Sequence, residues 1–378
     1  MDIGRFFINP VLYIALLAAI LLGYFRVKKE RRLFRTRIVW GWREFGDLLK
    51  DGILYALLFS ILFSAAGLVV PLEWLIALTL VSSVILVSGI YQLASFIYMA
   101  TAAAALGWLL HQYSWSVPFG IFDYTGYPIA WNWLLPVALI TGAMVFLEGR
   151  MITRHGAGAS SPRLQKTSRG GTALYYKTKR LWLIPLFLVV PGDLLDSYLP
   201  YWPQFPIGES SFSFFLFPAV IGFQNRARKS LPLHLYPKLG KGVWILGLAI
   251  IVLAMFSYVW PPMALIALLF GVLARASISI LAALKENKGN HAVAPQSTGV
   301  MIVDVLADSP AEKMGLLRGE VIRKVNGLTV TNEAELYEAI QVNAAHCRLE
   351  VIDHNKEMRL RQHVIFRHDH YRLGLIVV

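Results

Sequence analysis

Cysteine occurs once in the 378 residues, as Cys347, which excludes an intramolecular disulfide and fits a reducing compartment. Charge is scarce as well: Asp, Glu, Lys and Arg make up 16%, where soluble proteins carry roughly a quarter. Acids are especially few, 23 against 36 Lys and Arg, for a net charge of +13. In a soluble protein that excess would point to nucleic acid. Here the bases sit in short loops between apolar runs, the pattern that orients membrane proteins, and no nucleic-acid partner is expected. The apolar run from Phe6 to Phe25 has only Arg5 before it and no small-residue cleavage site after it, so it is expected to stay in the protein rather than leave as a secretory signal. No internal repeat is strong enough to build a transporter from inverted halves. What the chain has instead is apolar bulk, 56% hydrophobic residues with a mean hydropathy of +0.55.

A helical span needs about twenty mostly apolar residues, because it must satisfy its own backbone across roughly 30 Å of hydrocarbon. Stretches at 6–25, 52–72, 74–88, 90–110, 130–148, 181–199, 207–223, 242–259 and 262–284 qualify, the third and seventh being short. Three connecting segments are basic, among them Arg26 to Lys50 and Arg150 to Arg180, and are expected in the cytoplasm. Residues 111–129 and 199–211 are rich in Trp, Tyr, Phe and Pro and suit the outer interface. Keeping the first two basic loops on one side requires an even number of crossings, so two helices should turn near Ser88-Gly89. A membrane domain over 1–284 with about nine helices follows, or eight if the first segment only lies in the interface. Gly156 to Gly171 reads as a flexible loop, and 285–298 as a short polar linker.

From Gly299 to Val378 the charge density is that of a soluble domain. Gly299 to Val305 reads as a strand, Ser309-Pro310-Ala311-Glu312-Lys313-Met314-Gly315 as a capped short helix ended by glycine, and Val321 to Val325 as a strand closed by the Asn326-Gly327 turn. Asn332 can cap a helix over Glu333 to Ile340, and Arg348 to Asp353 with Met358 to Ile365 reads as a hairpin. The series Ser-Pro-Ala, Gly-Leu, Gly-Glu and Val-Asn-Gly, in that order and spacing, resembles the PDZ family. That resemblance implies an α+β fold: a partly open β-barrel with two helices that binds peptide ends or strands.

Leu373-Gly374-Leu375-Ile376-Val377 resembles the family's carboxylate-binding loop and ligand strand, which ordinarily comes first. Here it comes last, so the domain reads as circularly permuted. The resemblance implies a peptide site made by Leu373, Gly374, Leu375, Ile376 and Val377 together with Glu333, Tyr337 and Ile340 of the groove helix, which share a face at i, i+4 and i+7. The alternative is that Tyr337 and Ile340 simply fill the core, a reading at least as strong for Ile340.

No catalytic residue, metal site or cofactor is expected. None of the nine histidines lies in a span and no His-Glu-x-x-His occurs. The cluster His368-Asp369-His370 reads as a solvated turn. Asp193 and Asp196 share one turn near a span end, whereas aspartyl intramembrane proteases need carboxylates on different helices. Arg275, within the last span, should snorkel or pair with another helix.

A basic loop after the first span, further apolar segments and one permuted PDZ domain together resemble the MinJ family of cell-division topological determinants. Trp182-Leu183-Ile184-Pro185-Leu186-Phe187, Tyr201-Trp202-Pro203 and Phe217-Pro218-Ala219-Val220-Ile221-Gly222-Phe223-Gln224 add to the likeness. It implies a non-enzymatic adaptor in the bacterial cell membrane, enriched at septum and poles, that bridges the polar scaffold DivIVA and the division inhibitor MinD. Anionic lipids are expected to meet the basic loops, and homo-oligomerisation is left open. Other readings of the same parts are an adaptor of an envelope secretion or signalling complex, and an intramembrane protease that docks substrates on its PDZ domain.

Overall fold

The computed structural model describes residues 7, 9–119, 122–124, 131–166, 172–192, 204–207, 210–289, 291–294, 298–343, 346–364 and 373–378. Its helical part comprises α1 (Pro10–Phe34), α2 (Arg43–Ala65), α3 (Leu72–Ser88), α4 (Phe96–Gln112), α5 (Trp131–His155), α6 (Pro232–Met255) and α7 (Met263–Asn287). Among the described residues five helices are long and apolar enough to cross a bilayer: Pro10–Phe34, Arg43–Ala65, Trp133–His155, Pro232–Tyr258 and Met263–Asn287. α1 begins where Asn9 accepts the Val11 N–H ahead of Pro10, and it ends at Arg35 in the left-handed region. α3 stops at Gly89, where φ is +68°, and the chain reverses through Ile90–Ser95 before α4, at the turn expected near Ser88-Gly89.

Arg275 of α7 pairs with Glu148 of α5 at 2.8 Å, both nearly inaccessible, while the Ser95 hydroxyl donates to the other Glu148 oxygen. Buried charge in lipid survives when it is paired in this way, so of the two roles foreseen for Arg275 the interhelical one holds.

Residues 181–199 and 207–223, expected as helical spans, are strand where they are described. After a small hairpin of β1 (Val117–Phe119) and β2 (Phe122–Tyr124), four strands form one antiparallel sheet: β3 (Ser160–Lys166), β4 (Thr172–Pro191), β5 (Gln204–Ile207) and β6 (Ser210–Ala227), in the order β3-β4-β6-β5. Hydropathy cannot separate an apolar helix from an apolar buried strand, but composition can. Phe, Val and Ile recur in both segments, with Trp182 in the first, and each has a proline within it, Pro185 and Pro218.

In the β4–β6 register Pro185 faces Pro218 and Leu181 faces Gly222. The Gly222 N–H leaves the ladder for the Ala94 carbonyl at 2.8 Å, and the Phe187 N–H leaves it for the Ser60 hydroxyl at 2.9 Å. These are therefore non-hydrogen-bonded pairs, and so, an even number of residues away, is Pro185–Pro218. Neither proline costs a ladder bond, whereas in a helix each would remove one and kink the chain.

α2 lies along β4 and runs the same way. Asp47 and Asp51 meet Arg180 at one end, Ser60 meets Phe187 further on, and Val70 donates to Val189 beyond the helix. Gly52 touches the Leu183 carbonyl directly, a place with no room for a Cβ. A strand needs about ten residues to traverse hydrocarbon, and Leu181–Pro191 matches that reach. Over this stretch α2 covers the edge of β4 that β6 leaves free.

Ser160–Lys166 also departs from expectation. Read as part of a loop, it pairs in register with Thr172–Thr178.

The C-terminal sheet holds β7 (Val300–Val305), β8 (Val321–Val325), β9 (Leu328–Thr329), β10 (Cys347–Ile352), β11 (Met358–His363) and β12 (Leu375–Val377), with helices α8 (Pro310–Lys313) and α9 (Glu333–Val342). Strand order is β11-β10-β8-β7-β12, with β9 on β8. Leu336, Ala339 and Ile340 of α9 close a core with Val300, Ile302, Ile322, Leu349 and Leu375.

Candidate functional site

β12 is the last strand of its sheet, and among the described residues no strand pairs with its outer edge. Val378 exchanges both backbone bonds with Met301, and the Gly374 carbonyl accepts from Leu306. The N–H and C=O groups of Leu375 and Val377, at alternate positions, therefore face away from the sheet. The side chains alternate too. Leu375 and Val377 turn to the domain core beside α9, while Ile376 and Val378 pack on the helical part.

Gly374 sits at φ +77°, and its Cα lies against the Ser309 side chain where a Cβ would collide. Ser309 caps α8, accepting from the Glu312 N–H and donating to the Leu306 carbonyl at 2.6 Å. Ala311 in turn donates to the Leu373 carbonyl at 2.9 Å. The loop's carbonyls are thus held from the α8 side. This is the arrangement a carboxylate-binding loop requires if its amides are to face outward.

Asn332 and Glu335 cap α9, with the Glu335 N–H donating to Asn332 at 2.9 Å. Glu333 is exposed, Tyr337 is half-buried against the domain core, and Ile340 is fully buried. The expected shared face therefore divides: Glu333 and Tyr337 are accessible, whereas Ile340 fills the core. Ile376 also departs from the expected set, since its side chain points away from the groove and only its backbone belongs to β12.

Sequence reading missed what seats the groove helix. Asn326 (φ +50°) makes the expected tight turn with Gly327, but its side chain also donates to the Ala339 carbonyl of α9 and accepts from the Arg348 N–H, both at 2.9 Å. One residue thereby ties α9 to β10. The Val-Asn-Gly series was a cue to the turn and gave no sign of the tether.

The domain does not hang on its linker. Arg318, just before β8, bonds the buried Asp304 of β7 at 2.6 Å, donates to the Ser160 hydroxyl of β3 at 2.8 Å, and lies 6.0 Å from the Tyr176 ring centre. The Tyr176 hydroxyl donates to the Val303 carbonyl at 2.6 Å. Within the linker, Ala292 bonds Arg228, and the Leu174 N–H of β4 donates to Val293. Burial pushes the Asp304 carboxyl up to about 6, with Arg318 pulling the other way. Burial likewise raises the Cys347 thiol to about 11, which leaves it unreactive.

Asp193, Asp196, Glu209 and the cluster His368-Asp369-His370 lie outside the described residues. Among the described residues no group of three or more His, Cys, Asp or Glu is placed to hold a metal.

Comparison with known proteins agrees with this geometry. The PDZ domain family matches residues 301–353. The cell division topological determinant MinJ of Bacillus subtilis (strain 168) is 32% identical over 99% of this chain and 94% of its own length. A probable cell division topological determinant MinJ of Lacticaseibacillus paracasei is 23% identical over 98% of this chain and 96% of its own. A 59-residue stretch is 46% identical to the serine protease HTRA1 of Xenopus laevis, covering 15% of this chain and 13% of that protein.

Proposed function

This chain belongs to the MinJ family of cell division topological determinants, and from that premise we propose that it is a non-enzymatic membrane adaptor whose PDZ groove recruits soluble division proteins. The observation that carries the reading is the outer edge of β12, where Leu375 and Val377 offer backbone groups while their side chains share the core that α9 closes. A partner segment would add as a further strand there, its side chains falling against α9 and a terminal carboxylate meeting the amides around Leu373 to Leu375. The basic segments around Arg26–Lys50 and Arg150–Arg180 support a cytoplasmic position for the domain. On the family likeness, the partners are a DivIVA-like polar scaffold and a MinD-like ATPase, which the adaptor links at septum and poles.

The test uses the full-length chain as a fluorescent fusion in a rod-shaped Gram-positive host, with co-purification of both partners. Enrichment at midcell and poles is expected. Tyr337→Ala and Gly374→Asp should weaken capture of at least one partner while the protein stays in the membrane. Uniform membrane fluorescence in dividing cells, together with unchanged co-purification of both variants, would defeat the proposal.

A further inference from the structure

α1 carries Leu22, Phe25, Arg26 and Lys29 on one stripe, at i, i+3, i+4 and i+7. That stripe faces the β3–β4 sheet, where Ser161 stands opposite Lys177 and alternation puts Arg163 and Lys179 on the same side. Between them lies a cavity of about 260 Å³. Its composition is one-sided: five cations line it against one carboxylate, Glu44, and that one is engaged by Arg26 at 2.9 Å.

The other cations have few partners. Arg163 buries its Nε and Nη1 atoms with no hydrogen-bond partner among the described residues. Lys179 reaches the Gly89 carbonyl at 2.9 Å and the Tyr91 ring. Burial first, and then neighbouring positive charge, holds the Lys177 and Lys179 ammonium groups below their ordinary value, while burial lowers Arg163. The buried Glu30 carboxylate acts on Arg163 but is taken up by Ser161, Arg26 and the Ile38 N–H, so a buried guanidinium with idle donors beside two crowded lysines still favours a further anion in the space.

The cavity's remaining wall is apolar. Leu22 is half-buried and Phe25 is 54% exposed at the cavity's rim, one turn from the basic end of α1. A free inorganic anion gains nothing from that wall, whereas an amphiphile uses both parts.

We propose that this cavity is a binding site for one anionic phospholipid. Its phosphate accepts hydrogen bonds from Arg163 and Lys177 at headgroup depth, and its acyl chain lies along Leu22 and Phe25. The site ties α1 to the β3–β4 sheet through a lipid bridge.

The test is polarisation of a fluorescent phosphatidylglycerol bound to the full-length protein in neutral-detergent micelles. Saturable binding is expected, displaced by unlabelled phosphatidylglycerol but not by phosphatidylcholine or millimolar inorganic phosphate. Arg163→Gln with Lys177→Gln should weaken it about thirtyfold, at roughly one surface-lysine contribution per charge removed. Arg32→Gln with Lys50→Gln removes the same charge from exposed positions outside the cavity and should leave binding within about twofold. Should the first variant not fold, Lys29→Gln with Lys177→Gln spares the buried guanidinium and is expected to weaken binding too. Equal loss in the Arg32/Lys50 control would reduce the effect to diffuse attraction. Displacement by inorganic phosphate would make this a free-anion site. Either result, or unweakened binding in the cavity variants, overturns the proposal.

Discussion

Replacing Arg318 by methionine keeps an apolar stem near Tyr176 and removes the cation bonded to the buried Asp304 carboxylate. With its carboxyl near 6, above the ordinary 3.8, Asp304 binds a proton more readily in the folded protein than in the unfolded one. Its ionisation therefore costs stability, and the loss accumulates as pH rises from 3.8 through about 6. At pH 7 the wild-type group is ionised and offset by the guanidinium. Without Arg318 both of the main effects lowering its pKa vanish, the value rises further, and the carboxyl is expected to take up a proton at pH 7.

That escape bounds the penalty. Protonating a group of pKa 6 at pH 7 costs about 1.4 kcal/mol, tenfold in an opening equilibrium. This is less than the roughly 3–5 kcal/mol of a buried pair that cannot neutralise itself. At pH 5 both proteins carry the proton and this part disappears. What remains is the lost bond to Ser160, about 1 kcal/mol at any pH. Hydrogen exchange of the full-length protein in detergent reads both parts. In β7 and the first half of β4, the variant-to-wild-type exchange ratio should be about tenfold larger at pH 7 than at pH 5. A ratio that does not change between the two pH values would refute the reasoning.

Ile340→Ala should cost about 2–5 kcal/mol of PDZ stability as a core truncation, read by denaturant unfolding monitored in that domain, whereas Tyr337→Ala should cost much less while reducing peptide capture. Gly374→Ala should destabilise more than Gly327→Ala, because both need positive φ but only the first would also collide with Ser309. The order of their unfolding midpoints checks it, and reversal would count against the placement of the loop. Ser60→Ala leaves the Phe187 N–H without its acceptor and should cost about 1–3 kcal/mol, seen as a lower thermal midpoint of the full-length protein; Ser60→Thr, which keeps the hydroxyl, should recover most of it.

The PDZ end was legible because its turns and caps rest on local chemistry: Ser309 and Asn332 cap helices, and Asn326-Gly327 closes a two-residue hairpin, as the residues themselves dictate. Hydropathy located apolar segments well but could not specify the conformation of 181–191, because a buried strand has no polar face to betray its period of two. Pro185 and Pro218 were the cue, and their meaning emerged only once they stood opposite each other. The dock at Arg318 was invisible for another reason. Ser160, Tyr176 and Asp304 are far apart in sequence, and no spacing rule brings them together. In the groove, Ile340 and Tyr337 lie on adjoining turns of one helix, and only the depth of burial separates core from rim.

The linker's anchoring changes what recruitment means. A domain swinging on a free linker would carry its cargo through a wide cone of headings. Val293 fastened to Leu174, and Arg318 fastened to Ser160, hold it instead at one bearing to the β3–β4 sheet. Cargo seized by neighbouring molecules would then point the same way, like compass needles on a common sheet, and lengthening the linker would not extend their reach while the dock holds.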